Sequence, residues 1–441
     1  MQWFLDIAHG LRSAGVLAVI ATLVLLGAVR LPAAGTTLLA LLAPLAAALP
    51  IALHPTNESF PVLLVLAAVF CCGLLLRSDD LQDPRHRAEC TALQLLGGAG
   101  ACVLATAGDW LSLLIGFESM SLAVAVLAGI GRGRRSLEVA FRFFVLSAVA
   151  AATLVYGIAL HAFATGSLAL AAPALPGAGM QVMVTVAVVL AALGLAFELA
   201  MVPAHFGTLG VCYAAPLSCI TFAMTVSKVG AALAMSRLCT LRPDLQPIVL
   251  GLAVLTIVWS TFGGLAQQHV RGMLAYSAIG HGGFLALAAG CGAPAHGTIA
   301  YYALVYVASI ALVLASLSGH RGDLTFAEIA RTPMGRMRRA ALVLGLLSLA
   351  GVPPSPGFLA KIAVLSSSWD AAGPTLTIAA ALGGVFGALF YLRPVPDLLA
   401  MRSLDGERSG TPAAVRVAIA LGGLVFLVCM VVPQLAVRLA S

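Results

Sequence analysis

Apolar runs of 18 to 34 residues follow one another along the chain, separated by short stretches that hold charges, Pro or Gly. A run of about 20 such residues, at 1.5 Å each, matches the roughly 30 Å hydrocarbon core of a bilayer. The pattern predicts fourteen helical spans, near 13–31, 34–53, 59–76, 91–108, 110–131, 137–163, 179–212, 214–238, 246–266, 271–291, 298–318, 340–369, 374–393 and 413–437. The fold expected is therefore all-α, a polytopic membrane protein. The seventh and twelfth spans are too long for one straight crossing and contain Pro203 in the first case and Pro353, Pro354 and Pro356 in the second. Proline removes a backbone donor and clashes with the preceding turn, so both are predicted to be broken helices. The first run exceeds the core of a signal peptide and no small-residue cleavage site follows it, so it is read as a mature helix.

A short internal echo accompanies the breaks. Leu199-Ala200-Met201-Val202-Pro203 returns as Leu349-Ala350-Gly351-Val352-Pro353, with four of five positions matching, five spans apart. Repeated halves with matching discontinuous helices place a working site near the middle of the membrane.

Composition excludes the soluble alternatives. The 441 residues are 61% hydrophobic and 9% charged, whereas soluble domains carry about 25% charged residues. Nine cysteines are scattered through apolar runs with no CxxC or Cys/His cluster, which makes them small packing residues. A formal charge of +7 suggests nucleic acid only until the arginines are placed. Loops after odd-numbered spans, with the adjoining helix ends, hold Arg30, Arg77, Arg85, Arg87, Arg132, Arg134, Arg135, Arg142, Arg271, Arg321, Arg331, Arg336, Arg338, Arg339, Arg393, Arg402, Arg408 and Arg416. The other side holds Arg12, Arg237, Arg242 and Arg438. Eighteen against four puts both termini on the non-cytoplasmic side, the periplasm of a Gram-negative cell. No phosphate-binding glycine loop, haem ligand pair, iron–sulfur spacing or hydrolase triad is present, so no cofactor is expected on this chain.

The chemistry is sparse and deep. Of 24 basic residues, 22 are arginines near membrane surfaces, while the only two lysines, Lys228 and Lys361, lie inside predicted spans. Arginine stays charged, whereas a desolvated lysine loads and releases a proton near neutral pH. Among 17 acidic residues, Glu118 and Glu198 sit well within spans. A charge at mid-bilayer costs roughly 2.5 to 3.5 kcal/mol on insertion scales, so each needs a reason. Structural ion pairs are one reason and a proton relay is the other. His281 lies ten residues into its span, about 15 Å deep, where imidazole either donates to a carbonyl or hands protons on. His205, two residues after Pro203, either caps backbone groups freed by the break or gates a half-channel. Tyr276, Ser277 and Ser227 are placed to bond between helices or hold water.

Two long motifs then become specific. Gln267-Gln268-His269-Val270-Arg271-Gly272-Met273-Leu274-Ala275-Tyr276-Ser277-Ala278-Ile279-Gly280-His281 resembles the pattern Q-x-N-x-K-R-x-L-A-Y-S-S-I-x-H of the antiporter-like, proton-channelling membrane subunits of complex I (NADH:quinone oxidoreductase). Gly351-Val352-Pro353-Pro354-Ser355-Pro356-Gly357-Phe358-Leu359-Ala360-Lys361 resembles the G-I-P-P-x-x-G-F-x-G-K of the subunit N branch. Arg134-Arg135-Ser136-Leu137-Glu138-Val139-Ala140, Pro203-x-His205, Ala215-Pro216 and Ser227-Lys228 add to the likeness, which covers roughly residues 90 to 395.

That resemblance implies about fourteen helices containing two inverted five-helix repeats. It divides the chain into an N-terminal three-helix segment (1–90), a first repeat (91–240), a second repeat (241–395) and a C-terminal loop and last helix (396–441). It also implies a proton path in which Glu118 senses a neighbouring subunit, Lys228 is the central lysine and Lys361 exchanges with the far side. NADH and quinone would react elsewhere in a complex in the bacterial inner membrane, with other membrane-arm subunits and lipid as partners.

The sequence departs from the family pattern in three places. The seventh-helix lysine falls on Glu198, the W-T-P-D stretch is replaced by Gly207-Thr208-Leu209-Gly210, and a Lys-Arg pair is replaced by Arg271-Gly272. The leading expectation is a proton-translocating subunit with no redox chemistry of its own. A subunit of a cation/proton antiporter or membrane-bound hydrogenase, and a non-conducting structural subunit, remain as alternatives.

Overall fold

A helix interrupted inside hydrocarbon must find partners for its freed backbone groups within the protein, and the chain folds around two such interruptions. The computed structural model describes residues 2–27, 33–53, 59–76, 86–131, 133–320, 323–332, 334–400 and 413–432. Arg30, Arg77, Arg85, Arg132, Arg321, Arg402, Arg408 and Arg438, used above for orientation, lie outside them, as do the last residues of the first and fourteenth predicted spans.

The first three helices are α1 (Gln2–Gly27), α2 (Ala33–Leu53) and α3 (Ser59–Leu76). They are followed by α4 (Arg87–Ala105), α5 (Trp110–Gly129), α6 (Arg134–Thr165) and α7 (Ala178–Glu198). The seventh predicted span stops at Glu198 and resumes as α8 (Phe206–Ala214), so it is broken as expected. The eighth is also broken, into α9 (Leu217–Met224) and α10 (Val226–Leu241), although no proline lies at the break. Thr225 sits between them with φ −112° and ψ −74°, and its hydroxyl donates back to the Thr221 carbonyl at 2.6 Å. That back-bond competes with the regular helical ladder and bends a helix at a site that proline counting misses.

The second half runs α11 (Gln246–Leu265), α12 (Val270–Gly290), α13 (His296–Leu317) and the short α14 (Phe326–Arg331). The twelfth span is α15 (Arg336–Ala350) and the start of α16 (Pro356–Leu392), interrupted at residues 351–355 as expected. Gly373 (φ 78°), just before Pro374, divides α16 into two crossing segments, matching the separate twelfth and thirteenth spans read from sequence. The short α17 (Val395–Ala400) and the terminal α18 (Ala413–Val431) complete the described helices. Among the described residues, ten helical stretches are long and apolar enough to cross a membrane, and three shorter apolar helices accompany them.

Two small backbone contacts recur at matching places. Trp110 N–H, opening α5, donates to the Leu168 carbonyl at 2.9 Å, and Val270 N–H, opening α12, donates to the Leu324 carbonyl at 2.8 Å. Each belongs to an isolated antiparallel bridge, Asp109 with Ala169 and His269 with Thr325.

Burial ranks the helices. In α13 94% of the apolar stretch is buried, and in α9–α10 and α12 89%, against 33% in α6 and in α16. α13 stands at the centre, touching α3, α12, α15, α16 and α18. Close packing at the break of α7 depends on Gly282 of α12: a Cβ there would collide with the Leu199 carbonyl. Backbone cannot yield as a flexible side chain can, so Gly282→Ala is expected to cost about 1–3 kcal/mol of packing strain. A lowered melting temperature of the purified protein in detergent is the expected result, and wild-type melting would contradict this account of the contact.

Candidate functional site

Each lysine lies where a helix stops. α7 ends at Glu198, and Lys228 Nζ donates to the Glu198 carbonyl at 3.5 Å. α15 ends at Ala350, and Lys361 Nζ donates to the Leu349 and Ala350 carbonyls at 2.9 and 2.8 Å. The last carbonyls of a helix have no partner inside it and form the negative end of its dipole, so an ammonium complements them. A third cation does the same for α8: Arg271 Nη1 donates to the Ala215 carbonyl at 2.9 Å and the Cys212 carbonyl at 3.4 Å.

The break of α15 is closed by its own residues. Gly351 takes a left-handed conformation (φ 74°), and the N–H groups of Gly351 and Val352 both return to the Leu347 carbonyl at 3.1 Å. This is the turn that glycine allows at a helix C-terminus. Pro353 and Pro354 carry the chain across, Ser355 caps α16 by accepting from Phe358 N–H at 3.4 Å, and Pro356 occupies the first turn.

In the first half, the Glu198 carboxylate is buried and accepts hydrogen bonds from Ser121 Oγ of α5 and Ser227 Oγ of α10. Lys228, fully buried, adds its positive charge. Glu118, half-buried on α5 one turn from Ser121, acts on Glu198 electrostatically but shares no hydrogen bond with it. The Glu198 carboxylate therefore has two hydroxyls as its hydrogen-bond partners, while the Lys228 ammonium bonds the backbone carbonyl of the same residue.

In the second half, His281 Nδ1 and the Tyr302 hydroxyl are 2.8 Å apart, and the imidazole stacks on Tyr306 with ring centroids 4.7 Å apart. His281 also interacts with the Leu349 carbonyl, the group that accepts from Lys361, and it feels the charges of both Lys361 and Lys228. Lys361 is 5.6 Å from the centre of the Phe284 ring, a cation–π distance. A cavity of about 20 Å³, large enough for one water, is lined by His281, Lys361, Ser260, Thr261, Phe284 and Tyr391. Ser277 accepts a hydrogen bond from the Tyr391 hydroxyl at 2.7 Å.

The structure thus brings Lys228 to Glu198 at the end of α7, with half-buried Glu118 nearby, and His281 and Lys361 together at the end of α15. His205 is engaged at both nitrogens: Nδ1 lies 3.3 Å from the Pro203 carbonyl and Nε2 accepts from Trp259 Nε1 at 3.1 Å. Because a carbonyl only accepts, Nδ1 carries the proton, and the ring caps the Pro203 turn. Sequence reasoning missed Ser121, Cys212, Tyr302, Tyr306 and Tyr391. Two signals were available, namely the spacing of Ser121 one turn after Glu118 and the polar hydroxyls of Tyr302 and Tyr306 in the middle of an apolar span.

Apolar helices broken in their interior, with lysines on the open carbonyl ends, mark the class as a polytopic membrane protein with ionisable groups in its core. A family model described as NADH:quinone oxidoreductase/Mrp antiporter, transmembrane, matches residues 107–387. NADH-quinone oxidoreductase subunit N of Deinococcus radiodurans is 34% identical over 393 residues, covering 83% of this chain and 79% of that protein. A chain of respiratory complex I from Thermus thermophilus superposes with a TM-score of 0.84 at 28% identity, covering 97% of this chain and 98% of that one. A chain of the Mrp complex from Dietzia gives a TM-score of 0.80 at 17% identity over 99% of this chain and 96% of that one, a likeness of fold. The chain belongs to the NADH:quinone oxidoreductase/Mrp antiporter family and is a multi-pass membrane protein.

Removing Glu198 tests the first half of the series. Glu198→Ala leaves the Ser121 and Ser227 hydroxyls buried without their common acceptor and removes the negative charge near Lys228, and each buried polar group left unsatisfied costs about 1–3 kcal/mol. Glu198→Gln keeps an acceptor for the serines and is expected to lower the melting temperature less. Equal melting of both variants with wild type would contradict the role assigned to the carboxylate.

Proposed function

We propose that the chain is the proton-translocating, subunit N-like membrane subunit of an NADH:quinone oxidoreductase, conducting protons along Glu118, Glu198, Lys228, His281 and Lys361. The observation that carries this reading is the placement of the only two lysines of the chain, Lys228 fully buried and Lys361 half-buried, both on the open carbonyl ends of broken helices. A lysine in such a place holds a proton when the carbonyl end and a carboxylate face it, and gives the proton up when the local charge changes. Glu118, at the edge of the series, takes up the state of an adjacent subunit. Glu198 and Lys228 exchange charge within the first half. His281 joins the halves, and Lys361 delivers to the opposite side.

In this reading NADH oxidation and quinone reduction occur in other subunits, this chain binds no cofactor, and its partners are the other membrane-arm subunits and lipid. The arginine bias supports a bacterial inner-membrane protein with both termini in the periplasm. The recurring backbone contacts at the starts of α5 and α12 support reading 91–240 and 241–395 as two copies of one five-helix unit. Pro203 with His205, and Pro353 with Pro354, are then the corresponding hinge segments. The name of the Deinococcus relative favours this assignment over a cation/proton antiporter or a hydrogenase subunit. The Glu198–Lys228 pair, carried within one half, favours conduction over a purely structural role because it supplies the opposed charges a relay needs.

Lys228→Ala and Lys361→Ala, each introduced into the native complex and reconstituted in vesicles, are expected to lower the number of protons pumped per NADH by at least threefold while assembly persists. Unchanged pumping in both variants would contradict conduction through this chain and favour the structural alternative.

A further inference from the structure

Among the described residues no hydrogen bond joins Lys228 to His281, and Tyr306 of α13 stands against His281 on the second side of that gap. Its ring stacks on His281. Its hydroxyl is buried and has no hydrogen-bond partner among the described residues. Such a hydroxyl costs free energy that Phe in the same space would avoid, so packing alone gives no reason for the oxygen. The neighbouring tyrosines of α13 differ. Tyr301 faces α18 and donates to the Cys429 carbonyl at 2.9 Å, while Tyr302 is bonded to His281 Nδ1.

What surrounds the Tyr306 hydroxyl gives the oxygen a use. Tyr306 interacts electrostatically with Cys212 and with Tyr391 on one hand, and with Tyr302 on the other. Cys212 in turn interacts with Lys228. Gly282, which follows His281, packs beside the Lys228 ammonium, and Tyr306 stacks on His281, so the unpartnered hydroxyl belongs to the same buried neighbourhood as Lys228 and the bonded Tyr302–His281 pair. We propose that Tyr306 is a relay group that carries protons from Lys228, past Cys212, to Tyr302 and His281.

The step balances without any redox partner. The Lys228 ammonium releases one proton through intervening water and becomes an amine. Tyr306 oxygen accepts that proton as its own O–H proton passes to Tyr302, whose O–H proton passes to His281 Nδ1. Both tyrosines finish neutral, and the imidazole becomes imidazolium. With Nδ1 engaged by Tyr302, Nε2 is the nitrogen left to release its proton toward Lys361, whose amine becomes the ammonium held by the Leu349 and Ala350 carbonyls. Imidazole gains at one nitrogen and loses at the other, as suits a group between two lysines.

This inference rests on the conduction reading above, and the experiment separates the two. In the native complex in vesicles, Tyr306→Phe removes only the hydroxyl and keeps the stack on His281. Pumping per NADH is expected to fall at least threefold, with assembly intact and the melting temperature unchanged or raised. Tyr301→Phe, on the face toward α18, is expected to pump as wild type. If Tyr306→Phe pumps normally while Lys228→Ala does not, the relay role of Tyr306 is overturned and conduction stands. If neither variant alters pumping, both fall. Should Tyr306→Phe fail to assemble, Tyr306→3,5-difluorotyrosine retains the hydroxyl and makes it more acidic. A displaced pH profile of pumping then supports the relay, and an unmoved profile overturns it.

Discussion

The structure depends on how two helices end inside hydrocarbon. Where α7 and α15 stop, carbonyl oxygens lose their helical partners at a depth where water cannot be relied on to replace them. Lys228 of α10 and Lys361 of α16 supply the donors, and each thereby becomes a cation held at the negative end of a helix. The backbone needs a donor and the donor needs the backbone. Neither a continuous helix nor an apolar residue at these positions would leave a charge that can change.

Packing then decides which groups surround those cations. The most buried helices, α10, α12 and α13, are the ones that carry Lys228, His281 and the tyrosines. They approach closely because glycine lines the contact at Gly282, which brings the Leu199 carbonyl against α12 beside Lys228. Ser121 and Ser227 converge on Glu198 from α5 and α10, so its carboxylate is hydrogen-bonded in a site that excludes bulk solvent. In a low-dielectric interior such bonds are stronger, and a missing partner is more costly. The proposed relay is a row of groups of this kind, in which charge at one position changes the energy of charge at the next.

Much of this was legible in the sequence because the membrane imposes a severe filter. Two lysines among 22 arginines stood out at once, and the prolines at 203, 353, 354 and 356 marked both breaks within a few residues. The interruption at Thr225 was not legible, since a threonine back-bond leaves no compositional sign. The partnership of Glu198 with Lys228 was hidden too. The residues lie 30 positions apart on either side of a break, and only the path of the chain between them decides whether they meet. The folded chain gives the Glu198 carboxylate two serine hydroxyls as partners and its backbone carbonyl the Lys228 ammonium. The tyrosines of α13 went unread, because a hydroxyl's lack of a partner is visible only in three dimensions.

The central claim is that the two lysine-capped breaks belong to one polar path through the middle of the membrane. A cryo-EM map of the native complex, at a resolution that shows ordered water, examines it most directly. The account predicts water density running from Glu198 and Lys228, past Cys212 and the Tyr306 hydroxyl, to His281 and Lys361. A dry, apolar-packed interval between Lys228 and His281, with each lysine's water confined to its own helix end, would contradict it.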